Sequence, residues 1–178
     1  MTPRRRAFRL REARAGDYGW IVSRHGALYA REQGWDARFE ADVARIVLQF
    51  LEKRTARKRC WIAEVRGKPV GSVFVVERTP TLAQLRVLLV EPEARGLGVG
   101  RALVERSIAF ARKARFRKLM LVTYAHLQAA GNTYRRAGFR LVRETPERDY
   151  GRRLTGQRWE LELRGPARSG ARPTRATR

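Results

Sequence analysis

The chain has 178 residues, with 40 lysines and arginines against 17 aspartates and glutamates, a formal net charge of +23. That length, with 43% apolar residues, suffices for one domain with a real core. Without a run of about 18 apolar residues a helical membrane span is excluded, and one cysteine, Cys60, excludes an internal disulfide and suits a reducing, cytoplasmic setting.

Residues 8–12 read as a first strand. Residues 16–32 and 39–55 read as two helices, the second with Phe39, Val43, Ile46, Val47, Phe50 and Leu51 at helical spacing. Residues 59–66 and 70–78 form two strands turned at Gly67-Lys68, a hairpin signal. Cys60 opens the first of these and, with no base beside it, is expected to be a small packed residue. Residues 82–90 are a fourth strand, 99–114 a helix with Leu103, Val104, Ile108 and Ala111 inward, and 119–123 a fifth strand. Residues 126–137 form another helix, and 139–143 and 157–163 the last strands. This order predicts an α/β sheet with helices on both faces. Residues 1–7 read as a basic extension beginning Met-Thr-Pro-Arg-Arg-Arg, without the apolar stretch of a secretory leader. Residues 8–164 are the domain. Residues 165–178 lack a large apolar side chain and are expected to be disordered.

The most informative stretch is 85–103, an apolar strand that meets Pro92, then a loop with Gly96, Gly98 and Gly100, then a helix. A glycine-rich turn that opens a helix presents unpaired N–H groups and the positive end of the helix dipole to an anion. Glycines let a phosphate approach the backbone, and Arg95 and Arg101 flank the turn. The Lys-Ser/Thr pair of a P-loop is missing. The spacing and mid-chain position do not match a Rossmann fingerprint either.

The pattern Arg95-x-x-Gly98-x-Gly100, after a strand ending Val90-x-Pro92, resembles the coenzyme A pyrophosphate loop of the GCN5-related N-acetyltransferases (GNAT). The resemblance extends to Tyr134-x-x-x-Gly138-Phe139, where Gly138 suits a left-handed helix stop, and to the alternating segment 151–163. With Arg24-His25-Gly26-Ala27-Leu28-Tyr29 and Gly34-Trp35, residues 8–163 look like the acetyltransferase half of bacterial proteins fused to a MarR-type winged helix. The seven residues before the first strand leave no room for that regulator, so a stand-alone member is expected.

The resemblance implies a mixed, mostly antiparallel sheet whose fourth and fifth strands splay apart around acetyl-CoA. Leu88, Leu89 and Val90 would meet the pantetheine amides by strand-like pairing, and an N–H near Leu89 or Val90 would hold the thioester oxyanion. The pyrophosphate would rest on Gly96, Leu97, Gly98, Val99, Gly100 and Arg101, beside Arg95. The family places the tyrosine matched by Tyr134 near the sulfur, so Tyr134 is either the acid that protonates the leaving thiolate or a packing residue. An asparagine common seven residues earlier is replaced by Leu127. His25 and Tyr29 share a helix face on the acceptor side, where His25 is either a proton acceptor or a structural hydrogen-bonder. Glu32 and Trp35 are expected to help shape the acceptor pocket, and His126 has no assigned role. The fourth strand carries Gln84 and Arg86 but no acid before Glu91, which is expected to face solvent. No metal is expected, because no cluster has ligand spacing.

These features predict an acetyl-CoA-dependent N-acetyltransferase in which a primary amine of a small molecule or protein attacks the thioester directly. The alternative is an acyl-CoA sensor without turnover that binds nucleic acid or a protein partner through its basic surface. Taking Arg4, Arg5, Arg6, Arg168, Arg172, Arg175 and Arg178 from the total of +23 leaves +16, so the termini alone do not account for the charge. It is either incidental or serves a polyanion, although no RNA motif with interleaved aromatics is present. Related domains often form homodimers.

Overall fold

The structure is a computed structural model that describes residues 7–53 and 55–163. The predicted tail at 165–178 and all but Ala7 of the basic extension lie outside the described residues. The elements in chain order are β1 (Arg9–Glu12), α1 (Asp17–Gln33), α2 (Ala37–Glu52), β2 (Arg59–Val65), β3 (Lys68–Thr79) and β4 (Leu82–Val90). A 3-10 turn at Pro92–Ala94 leads to α3 (Val99–Lys113), β5 (Lys118–Tyr124), α4 (Gln128–Arg136), β6 (Arg140–Asp149) and β7 (Arg152–Glu162). Seven strands form one sheet in the order β1-β2-β3-β4-β5-β7-β6. Every pairing is antiparallel except β4 with β5.

Local chemistry sets most boundaries. Gly34 takes a left-handed conformation, φ 64°, and its N–H returns to the Ala30 carbonyl, which ends α1. Asp36 caps α2 by accepting from the Arg38 N–H at 3.0 Å. The β2–β3 turn falls on Arg66 and Gly67, both with positive φ, as a tight hairpin requires. The last two strands are longer than expected, with ten and eleven residues around a second positive-φ turn at Tyr150-Gly151. The segment 144–156 is dense in charge and contains Pro146, so it shows no apolar alternation. Its β6 half lies at the sheet edge, where proline and charge are tolerated.

The core divides across the sheet. On one face Val99, Leu103, Val104, Ile108 and Ala111 of α3 pack on Val73 and Val75 of β3, Leu85 of β4 and Leu119 and Leu121 of β5, with Tyr134 of α4. Those α3 residues are buried as the helical spacing predicts. On the other face Ile21 of α1 and Val43, Val47 and Phe50 of α2 cover Cys60, Ile62 and Phe74. Leu51, in the last turn of α2, stays 47% exposed. Cys60 is packed, and burial pushes its thiol well above the usual range.

Buried charge ties β1 to α1 and β2. Glu64 of β2 accepts from Arg9 at 2.7 Å and Arg11 at 2.5 Å, and Arg11 also reaches Asp17 at the start of α1 at 2.6 Å. Burial alone would raise both carboxyls, but the guanidinium groups of Arg11 and its neighbours outweigh it and hold both below their ordinary values. A depressed folded pKa contributes stability above the unfolded value, and this is lost as pH falls through the folded one. Urea unfolding should therefore show stability dropping below about pH 4, with a shallower acid limb in Glu64→Gln.

Candidate active site

β4 and β5 pair only over Leu82–Lys118, Ala83–Leu119 and Gln84–Met120. Beyond that point the strands part. β5 stays paired with β7 as far as Tyr124, and β4 keeps β3 as its neighbour up to Val90. The facing edge of β4 from Leu85 onward thus carries backbone groups that β5 does not satisfy.

A bulge marks the parting. Ser72 pairs with Leu89 and Phe74 with Arg86, so Val73 alone faces Val87 and Leu88. Val87 is held at φ 54°, a costly conformation for a β-branched residue. The buried Ser72 hydroxyl stabilises it by donating to the Val87 carbonyl at 3.2 Å.

The gap opens into a cavity of about 220 Å³ that reaches both faces of the sheet. His25, Tyr29, Trp35 and Phe39 line it from one side, Leu127 and Tyr134 from the other, and Arg86, Val87 and Leu88 from β4. Trp35 is the hub of its aromatic wall. Its ring lies 4.9 Å from Tyr29, 4.7 Å from Phe39, 5.2 Å from Tyr124 and 4.8 Å from Tyr150, spacings at which aromatic pairs attract. His126 approaches Trp35 from the rim at 6.0 Å.

Three titratable groups in this cavity have distinctive states. His25 is 2% exposed, stacks on Tyr29 and contacts the Ile21 carbonyl through Nδ1 at 2.8 Å. A carbonyl only accepts, so Nδ1 carries the proton and Nε2 is a lone pair. Among the described residues that Nε2 has no hydrogen-bond partner. Burial pulls His25 down to about 4, against smaller upward effects from Ile21 and Glu91, so the ring is neutral near pH 7. Burial pushes the Tyr134 hydroxyl well above the usual tyrosine range, with Tyr29 adding to the shift, and it remains a donor. Tyr29 itself is pushed up to about 12 by burial.

The glycine loop lies at the far end of β4. Gly96 and Gly98 adopt φ 79° and 83°, and Gly98 is the N-cap of α3. Among the described residues the N–H groups of Gly96, Gly98, Val99, Gly100 and Arg101 have no hydrogen-bond partner. Val99 is buried beneath the loop, Leu97 is exposed above it, and Leu89 is buried in β4 next to half-buried Val90. Arg95 holds Glu32 at 2.9 Å, and Arg101 holds Glu105 at 2.7 Å. Glu32 therefore belongs to the loop side and does not line the aromatic cavity.

The expectation that Glu91 faces solvent is corrected. It is 4% exposed and accepts from Arg24 at 2.5 and 2.8 Å, which locks α1 to the end of β4. Arg24 is a residue of α1 far away in sequence, so nothing near Glu91 signals the pair. Sequence reasoning also missed Phe39, Tyr124 and Tyr150 as cavity walls; Tyr124 is the last residue of β5 and Tyr150 sits in the β6–β7 turn, positions that no local pattern marks as facing a cavity. Among the described residues no group of three His, Cys, Asp or Glu side chains could hold a metal ion, and no helix is long and apolar enough to cross a membrane.

Comparison with known proteins follows the same lines. The family model for the acetyltransferase (GNAT) family matches residues 16–139. The mycothiol acetyltransferase of Cellulomonas flavigena is 40% identical over 73 residues, 41% of this chain and 18% of that protein. N-acetyltransferase family 8 member 3 of Rattus norvegicus is 38% identical over 89 residues, 47% of this chain and 39% of that one. The chain thus spans well under half the length of these curated relatives. Among solved structures, yncA of Salmonella typhimurium, determined with acetyl-CoA, superposes with a TM-score of 0.75 at 19% identity, over 93% of this chain and 99% of that one. At that identity the likeness is one of fold.

The buried histidine gives a prediction. Its folded pKa lies below the unfolded value of 6.5, so its contribution to stability is complete above pH 6.5 and is lost as pH falls toward 4. The loss amounts to about 3 kcal/mol. In His25→Phe this slope in urea unfolding should shrink to the smaller part due to His126, which burial also lowers.

Proposed function

The chain belongs to the acetyltransferase (GNAT) family, and on that premise we propose that it moves the acetyl group of acetyl-CoA to a primary amine by direct attack on the thioester. The parted edge of β4, open onto a cavity that holds Tyr134, is the observation that carries this reading. The residues present fit the co-substrate. The N–H groups of Gly96, Gly98, Val99, Gly100 and Arg101, unpaired among the described residues, suit a pyrophosphate. The edge of β4 that β5 leaves unpaired beyond Gln84 suits amides that pair like a strand along Leu88, Leu89 and Val90. Acetyl-CoA supplies the activated carbonyl and a thiolate leaving group.

The protein's part is then placement and proton handling. A backbone N–H of β4 near Leu89 or Val90, just past the bulge, is the group assigned to stabilise the oxyanion. The neutral amine forms the new C–N bond as the C–S bond breaks. The thiolate gains a proton from the Tyr134 hydroxyl, and the proton that the amine nitrogen loses passes through solvent to restore that hydroxyl. His25 at about 4 does not retain a proton near pH 7, so its part is to accept a hydrogen bond from the acceptor through Nε2. Tyr29 and Trp35 form the wall against which the acceptor packs. Arg95 and Arg101 exchange their carboxylate partners for the co-substrate's phosphates.

The decisive experiment follows free thiol released from acetyl-CoA over amino acids, polyamines, aminoglycosides and peptides. Acceptor-dependent release supports the transferase. Tight acetyl-CoA binding with no release from any amine would favour the sensor alternative. Tyr134→Phe should lower turnover about ten- to a hundredfold with acetyl-CoA affinity little changed; equal turnover would remove the acid role. Gly98→Val forces a branched side chain into a left-handed conformation costing about 1–2 kcal/mol. Calorimetry should show it weakening acetyl-CoA binding more than it lowers the melting temperature.

A further inference from the structure

Five arginines among the described residues are half-buried: Arg11, Arg24, Arg57, Arg59 and Arg86. Four have carboxylate partners. Arg11 holds Asp17 and Glu64, Arg24 holds Glu91, Arg57 holds Glu77, and Arg59 holds Glu12. Arg86 has neither a carboxylate nor a hydrogen-bond partner among the described residues, although it lines the acceptor cavity. The acids that could serve it are already engaged. Asp42 is paired with Arg45 and accepts from the Tyr150 hydroxyl at 3.1 Å, and Asp149 accepts from the Tyr124 hydroxyl at 3.3 Å.

A partly desolvated guanidinium without an anion is costly. Burial and the nearby charge of Arg78 both weigh against the charged form of Arg86 and outweigh the smaller opposite effects of Asp42 and Tyr150, neither of which is bonded to it. A planar carboxylate would relieve both, since it matches the guanidinium fork in two parallel hydrogen bonds. The surrounding wall is apolar, built of Trp35, Phe39, Val43 and Ile46. The volume of about 220 Å³ admits a molecule the size of an amino acid. A polyamine, which offers only positive charge, would face Arg86 with no compensation.

We propose that the acceptor is a small primary amine that also carries a carboxylate on an apolar frame, as a free hydrophobic amino acid does, and that Arg86 holds that carboxylate. This rests on the acetyl-transfer reading above and deepens it. Arg86 adjoins the bulge residue Val87, so an anchored carboxylate sets the neighbouring amine beside the parted edge where the thioester carbonyl is attacked.

The test compares matched probes: L-phenylalanine with phenethylamine and L-phenylalaninamide, and L-methionine with 3-(methylthio)propylamine. Binding to the CoA-loaded protein is followed by calorimetry and tryptophan fluorescence, to which Trp35 in the cavity wall contributes. Thiol release is measured in parallel. The carboxylated member of each set should bind and react about ten- to a hundredfold better. Arg86→Met should abolish that preference with acetyl-CoA affinity unchanged, and Arg86→Lys should retain part of it. The preference ratio is the readout, since a merely structural role would lower all probes together. If Arg86→Met does not fold, the wild-type ratios and Arg86→Lys decide. Equal handling of carboxylated and decarboxylated probes, no detectable binding of either, or a preference that survives Arg86→Met would overturn the assignment. Preferential binding of carboxylated probes with no thiol release from any amine would instead refute acetyl transfer and leave the anion site standing.

Discussion

Two parallel strands that pair for three residues and then separate leave a row of backbone donors and acceptors unmet inside the protein. Buried peptide groups without partners are costly, and the rest of the molecule is arranged around that deficit. β4 stays anchored to β3 on its other edge. β5 is held away by its full pairing with β7. The bulge at Val87, buttressed by Ser72, absorbs the change in strand direction. The gap joins the two halves of the core, so that Tyr29 from α1 and Tyr134 from α4 line one cavity although they belong to opposite layers.

Charge supplies the outer clamps. Arginine is in large excess, yet the buried carboxylates Glu64, Asp17 and Glu91 are each held by arginine. Such pairs add little net stability, because desolvation offsets attraction. Their directionality still matters. The Arg24–Glu91 pair fixes α1 against the end of β4, just before the glycine loop, and so sets the distance between the aromatic wall and that loop. Arg86 stands out against this background as the half-buried guanidinium whose partner the described protein does not supply.

The aromatic wall shows how distant segments make one surface. Trp35 comes from the turn after α1, Phe39 from α2, Tyr124 from the end of β5 and Tyr150 from the β6–β7 turn. Each ring alone is an ordinary apolar residue near an element boundary. Only the Gly34 stop, the Asp36 cap and the long β6–β7 hairpin bring them within contact distance.

The local devices were legible in the sequence, because they depend on short-range rules. The span of β4, the inward face of α3 and the glycine turn that opens it follow from apolar periodicity and from residues that tolerate positive φ. His25 and Tyr29 on one helix face follow from helical spacing in the same way. The parting of β4 and β5 came only from family resemblance, since no local pattern encodes which strand edge is left unpaired. The length of β6 and β7 was hidden, because an edge hairpin has no buried face to impose alternation. The burial of Glu91 was hidden because its partner Arg24 is 67 residues away. Local propensity and periodicity thus determined the elements and the loop. Tertiary packing alone decided which charges were paired, which rings met, and that Arg86 would face the cavity with no carboxylate partner among the described residues, because those outcomes depend on neighbours that the chain supplies only once folded.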